Sequence, residues 1–188
     1  MTAPAAYYMA CLDLRGRRCV VVGGGAVGLE KTHGLLACGA DVTVVAPEVV
    51  PQLHELDVVW RPRRYRARDL SGAFLVVAAT ADPRVNERVH RDAEARAMLC
   101  NVADVPDLCN FILPAVHREG PIAVAVSTGG ASPALAKRIR RDVAALVRPE
   151  HAELARRLQA LRPEVKQRFR TYEERRDYFE ALVAEALG

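Results

Sequence analysis

Several features that would settle a function class at once are missing from this chain of 188 residues. No apolar run approaches the roughly 18 residues that a membrane-crossing helix requires, so no membrane partner is expected. The opening stretch Met1-Thr2-Ala3-Pro4-Ala5-Ala6-Tyr7 has no basic segment followed by an apolar one. No secretory leader is therefore expected, and the cytoplasm is the predicted location. The five cysteines, Cys11, Cys19, Cys38, Cys100 and Cys109, are odd in number and contain no CxxC pair. This argues against a disulfide framework or a zinc knuckle, and buried reduced thiols are expected instead. The histidines at 33, 54, 90, 117 and 151 form neither HxH nor HxxxH, so no preformed transition-metal site is readable. There is no internal repeat and no low-complexity segment.

What is present is a soluble-protein composition, 51% hydrophobic and 27% charged, with enough chain for one domain or one domain and an appendage. The net charge of +4 is unevenly placed. Up to Pro114 there are 13 basic and 13 acidic residues, and from Ala115 onward 14 and 10. The excess can attract an acidic ligand or belong to a solvated helix face; no nucleic-acid partner is assigned.

Cys19 to Val22 is a β-branched run that ends in three glycines, as a strand buried on both faces would. A helix over Val27 to Cys38 follows, then a strand from Asp41 to Pro47, completing a βαβ unit. Further strands are predicted at Val58–Trp60, Phe74–Thr80 and Met98–Val102. A helix opens at Asp82-Pro83, where Asp82 can serve as its N-cap. The alternation of strand and helix predicts an α/β protein, a Rossmann-type doubly wound parallel sheet. After Asp104 the pattern changes. Asn110–His117 and Pro121–Thr128 read as a hairpin joined through Arg118-Glu119-Gly120. A basic helix from Ala134 to about Val147 is ended by Pro149, and the remainder to Leu187 is helical with a break predicted near Arg162-Pro163.

The glycine loop Gly23-Gly24-Gly25-Ala26-Val27-Gly28 follows a strand and opens a helix, the context a dinucleotide-binding fingerprint requires. The first glycine permits the turn, the second lets backbone approach a pyrophosphate, and the third lets helix and strand pack closely. The helix N-terminus offers N–H groups to phosphate. At the end of the second strand, in Ala46-Pro47-Glu48, Glu48 is either a ligand of the adenosine ribose or a solvated loop acid. No Arg follows at once to receive a 2′-phosphate, which favours NAD over NADP. Thr80, Asn101 and Val102 lie at or just past strand ends, where ligands of open α/β sheets bind. Asp104 sits where a hydride acceptor should lie and is the candidate general acid or base. Ser127-Thr128-Gly129-Gly130-Ala131-Ser132-Pro133 is a second glycine turn, readable either as an anion site or as a sharp corner.

Taken in order, Leu12-Asp13-Leu14-Arg15-Gly16, the glycine loop, Val44-Val45-Ala46-Pro47, Ala78-Ala79-Thr80-Ala81-Asp82-Pro83-x-x-Asn86, Asn101-Val102-x-Asp104, Phe111-Ile112-x-Pro114 and Ser127 to Pro133 resemble the precorrin-2 dehydrogenase family, which includes the N-terminal part of siroheme synthase. The resemblance covers essentially the whole chain. It implies an NAD-binding Rossmann domain over 1–113, a small α+β dimerisation region over 114–148 and a C-terminal helical domain over 149–188, assembled as a homodimer. It implies NAD-dependent oxidation of precorrin-2 to sirohydrochlorin, with the family's essential aspartate on Asp104. Some members also insert ferrous or cobaltous ion, which would implicate Asp104 again. For the polycarboxylate substrate, Ser127, Thr128, Gly129, Lys137 and Arg138 are the candidate contacts. Arg140, Arg141, Arg175 and Arg176 add to the basic supply. Gly28 stands where alanine is commoner in the family, a change expected to leave packing unaffected. Thr128 stands where some members carry a phosphorylatable serine. No methyltransferase domain is expected. The competing readings are a chelatase with weak dehydrogenase activity and an NAD-sensing regulatory module.

Overall fold

The computed structural model describes residues 7–188; residues 1–6 of the opening stretch read above lie outside them. The described residues fall into two compact units, one running to Leu113 and the other from Pro114 to Gly188.

The first unit is a five-stranded sheet. Its elements are β1 (Arg18–Val22), α1 (Ala26–Leu36), β2 (Asp41–Ala46), β3 (Val59–Pro62), β4 (Leu75–Ala78), α2 (Pro83–Glu94) and β5 (Leu99–Val102). All neighbours pair in parallel in the order β3-β2-β1-β4-β5. The order reverses beside β1, so the sheet is doubly wound, as expected for a Rossmann-type fold. The β-branched strands are buried on both sides because side chains alternate across the pleat. Val20 and Val22 join one core with Val76, Val89, Ala93 and Cys100 under α2. Cys19 and Val21 join the other with Leu35, Val42, Val44 and Val77 under α1.

Helix and strand do not alternate throughout, contrary to expectation. The links from β2 to β3 and from β3 to β4 carry only single 3-10 turns, Pro51–Glu55 and Ala67–Leu70. The second link is held by a buried carboxylate. Asp69 accepts from Arg61 at 2.9 Å, from both terminal nitrogens of Arg63, and from the Arg66 backbone N–H at 2.8 Å. Burial opposes its ionised form, but the hydrogen bonds from Arg63, the Arg66 N–H and Arg61 outweigh it and hold the carboxyl at about 2.

The second unit contains the hairpin β6 (Ala115–Glu119) and β7 (Ile122–Val126), then α3 (Pro133–Ala144), α4 (Pro149–Arg168) and α5 (Tyr172–Leu187). The hairpin is antiparallel with His117 opposite Val124, and Gly120 makes its turn at φ +55. Pro149 starts α4 rather than merely ending α3: it occupies the first turn, where a missing N–H costs nothing. The predicted break at Arg162-Pro163 is absent, since α4 runs through Pro163 to Arg168. The interruption falls at 169–171 instead. There Thr171 and Glu174 form a reciprocal capping box, Glu174 N–H to Thr171 Oγ1 at 3.2 Å and Thr171 N–H to Glu174 Oε2 at 3.0 Å.

Candidate functional site

Parallel registry brings the strand ends together. Val22 is level with Val45 on one side and with Ala78 on the other, and Ala78 with Val102. Reading along the carboxyl edge, the segments are therefore Ala46-Pro47-Glu48, the glycine loop, Ala79-Thr80 and Ala103-Asp104. With about 4.8 Å between strands, the turn bearing Asp104 lies roughly 10 Å along the edge from Gly23.

The glycines of the loop have separate causes. Gly23 sits at φ +126, and a Cβ there would lie 2.3 Å from the Ala79 carbonyl oxygen. Gly24 passes under Glu48, whose carbonyl oxygen would be 2.2 Å from a Cβ, and its own carbonyl accepts from Val50 N–H at 2.8 Å. Gly28 meets the Gly23 carbonyl in the same way, at 2.2 Å. At 28 backbone rather than a movable side chain stands in the way of a Cβ. At Gly25 an added Cβ would meet nothing of the protein. Gly25 is the N-cap of α1, with no side-chain cap and no acidic residue in the first turn. The N–H groups around Ala26 and Val27 thus form an uncapped, positively polarised helix end facing open space. This cradle fits a dinucleotide's phosphates.

At the end of β2, Ala46 is buried while Pro47 and Glu48 are exposed. The Ala46 carbonyl accepts from Trp60 Nε1 at 3.0 Å. On the other side, Thr80 Oγ1 lies 2.8 Å from Asn86 Oδ1, and Asn86 Nδ2 donates to the Thr80 carbonyl at 3.0 Å. Thr80 is thereby clasped by a buried amide. Asp82 is the N-cap of α2, accepting from Arg84 N–H at 2.9 Å. Asn101 is buried and its Nδ2 donates to the Phe111 carbonyl at 3.1 Å. Val102 is the buried last residue of β5. Asp104 is exposed at the strand end in the left-handed region, φ +61.

The second glycine turn belongs to the other unit. Its hydroxyls are engaged locally: Thr128 Oγ1 donates to the Ser132 carbonyl at 3.1 Å and accepts from Ser132 N–H at 3.0 Å, Ser127 Oγ accepts from Gly129 N–H, and Ser132 caps α3 through Leu135 N–H. Gly129 and Gly130 both have positive φ. The two glycines turn the chain sharply ahead of α3. Lys137 and Arg138 are exposed on α3, and Arg138 pairs with Asp142 at 3.1 Å. Among the described residues no group of three or more His, Cys, Asp or Glu side chains could hold a metal ion, and no helix is long and apolar enough to cross a membrane.

Three family profiles match in series: one described as NAD(P)-binding over residues 10–115, one as the sirohaem biosynthesis protein central region over 119–146, and one as the sirohaem synthase dimerisation region over 150–188. The solved structure of SirC, a precorrin-2 dehydrogenase, superposes with a TM-score of 0.78 at 30% identity, covering 94% of this chain and 89% of that one. The chain belongs to the precorrin-2 dehydrogenase family. Siroheme synthases of Methylobacillus flagellatus and Chromobacterium violaceum are 40% and 41% identical over 181 residues. This precorrin-2 dehydrogenase-family chain spans 39% and 38% of their lengths. In the family's terms the dimerisation description attaches to 150–188, whereas the sequence reading assigned pairing to 114–148.

Of four residues that hold this family member's edge loops, sequence reasoning missed Trp60, Cys109 and Asn110 but not Asn86. Asn86 was visible within the Asp82-Pro83-x-x-Asn86 motif. The other three act through contacts that no local pattern announces.

Proposed function

We propose that this chain is an NAD-dependent dehydrogenase that oxidises precorrin-2 to sirohydrochlorin. The observation that carries the reading is the pairing, on one sheet edge, of an open glycine cradle at Gly25 with an acid in a disfavoured backbone conformation at Asp104. Bound NAD supplies a hydride acceptor. The residues of the glycine loop, Gly23 to Val27, hold its pyrophosphate, Ala46-Pro47-Glu48 its adenosine ribose, and Thr80, Asn101 and Val102 border its nicotinamide half. Arg61 and Arg63, which β3 brings beside the end of β2, are engaged by Asp69, which supports NAD over NADP.

Oxidation removes two electrons and two protons from the tetrapyrrole, one proton travelling with the hydride. The Asp104 carboxylate takes the other. Substrate carboxylates are met by Ser127 to Gly129 and by the basic supply of Lys137 and Arg138, and Arg can grip a carboxylate with two hydrogen bonds. The protein works as a homodimer in the cytoplasm. The dimerisation profile and the apolar side chains exposed on the second unit support the pairing. Insertion of ferrous or cobaltous ion into the product would use the same carboxylate.

The test is incubation with precorrin-2 and NAD while sirohydrochlorin absorbance is followed. Turnover that requires NAD is expected. NAD binding without turnover would overturn the reading in favour of a sensing module. Asp104→Ala should lower turnover by about a hundredfold or more while NAD affinity stays within about twofold. Adding ferrous ion to sirohydrochlorin tests chelation separately.

A further inference from the structure

β5 is an edge strand, so alternate backbone groups along it face away from β4 and have no strand partner. Two consecutive side chains take the place of the missing strand. Cys100 N–H donates to Asn110 Oδ1 at 2.8 Å, and Val102 N–H donates to Cys109 Sγ at 3.1 Å. Asn110 returns its own N–H to the Cys100 carbonyl at 3.1 Å. Its Nδ2 donates to the Met98 carbonyl at 2.8 Å and to Glu94 Oε1 at 2.9 Å. The Cys109 thiol lies 3.3 Å from the carbonyl oxygens of both Val102 and Val105.

Those last two residues are the ends of the turn that carries Asp104. Val105 N–H closes it onto the Val102 carbonyl at 3.2 Å. Asp104 is the third of its four residues and lies at φ +61, a position that turns of this kind normally give to glycine or asparagine. An aspartate held there costs conformational energy that the surroundings must offset. The sulfur touches the turn at both ends, and burial pushes the Cys109 thiol up, so the proton it donates is retained at neutral pH.

We propose that Cys109 and Asn110 form a clamp on the edge of β5 that fixes the 102–105 turn and so positions the Asp104 carboxylate for its proton transfer. Both act as positioning residues. The inference rests on the reading of Asp104 as proton acceptor, and its tests separate the two.

Cys109→Ala removes the sulfur's contacts with Val102 and Val105, together with the 3.5 Å hydrogen bond it accepts from Asn101 Nδ2, while Cys109→Ser keeps a donor and an acceptor. Cys109→Ala should lower kcat by about ten- to a hundredfold, with the dissociation constant for NAD within about twofold, and Cys109→Ser should recover most of that loss. In an Asp104→Asn background, adding Cys109→Ala should change kcat by less than about twofold, because the clamp acts through the carboxylate. Amide hydrogen exchange supplies a readout independent of activity: Val102 and Val105 should exchange faster in Cys109→Ala, while Ala79, bonded to the Val22 carbonyl, should not. Unchanged exchange at Val102 and Val105 would overturn the clamp, as would full additivity of the two substitutions. Wild-type protein that lacks NAD-dependent turnover would overturn the dehydrogenase reading instead, and the exchange measurement would still decide whether the sulfur holds the turn.

Discussion

Gly25 and Gly28 are glycine for opposite reasons. At 28 the protein's own backbone leaves no room for a Cβ, and at 25 nothing of the protein stands in the way. Gly28→Ala should therefore destabilise the fold, visible as a lower thermal midpoint, because a carbonyl 2.2 Å away cannot move aside cheaply. Gly25→Ala should leave stability within about 1 kcal/mol but weaken NAD binding by about tenfold or more, measured by calorimetry. A variant at 25 that binds NAD normally would show that no phosphate approaches there. Asp104→Gly should remove turnover and yet raise the thermal midpoint, because glycine adopts φ +61 without penalty. The thiols divide in a similar way. Burial pushes Cys19 up to about 11 and Cys100 up to about 12, whereas Cys11 is exposed. Alkylation of the native protein should label Cys11 first and leave Cys19 and Cys100 unmodified until unfolding, as peptide mass mapping would report.

At the scale of elements, the link between β3 and β4 depends on one buried charge. Asp69 is fully buried and its carboxyl is held at about 2, below the usual carboxylate range. Its pairing therefore contributes stability above about pH 4 that is lost as the pH falls from about 4 to 2. With part-exposed guanidiniums as partners, the contribution is about 1–2 kcal/mol. Asp69→Asn should cost about 2–4 kcal/mol at neutral pH and flatten the acid limb of the stability curve, which urea titration at several pH values would detect. Pro163 sits inside α4, where a proline removes a backbone bond and crowds the preceding turn. The mid-helix proline pointed to a break, yet α4 continues past it and the actual start of α5 was signalled by Thr171-x-x-Glu174. The proline could be read from sequence; which signal prevailed depended on how α4 and α5 pack.

For the whole molecule, the two units differ in how much they bury. The first has two cores of β-branched side chains sandwiching a sheet. In the second, only Ala136, Ala152 and Val165 are fully buried among apolar residues, while Leu135, Leu146, Tyr172 and Leu187 are all more than 45% exposed. A unit with so little core of its own is expected to gain from a second copy. Light scattering should give twice the mass of one chain, and the thermal midpoint should rise with protein concentration; a monomer at micromolar concentration would contradict the dimer.

The sheet was legible because its determinants are local and repetitive: β-branched runs ending in glycine or small residues mark strands, and a glycine loop between strand and helix marks the cradle. Asp104 stood out in the sequence by its place after a strand. Its left-handed backbone did not, since a backbone angle at one aspartate is set by Cys109 and Asn110, five and six residues on, through a sulfur and an amide that no periodicity reveals. The roles of Asp69 and Trp60 were hidden for the same reason: their partners come from other elements. The sequence by itself determined that a dinucleotide cradle lies at the head of a parallel sheet. Only the tertiary structure decided which glycine leaves room for a ligand and which side chains hold the acid beside it, because both depend on how close separate segments of backbone approach.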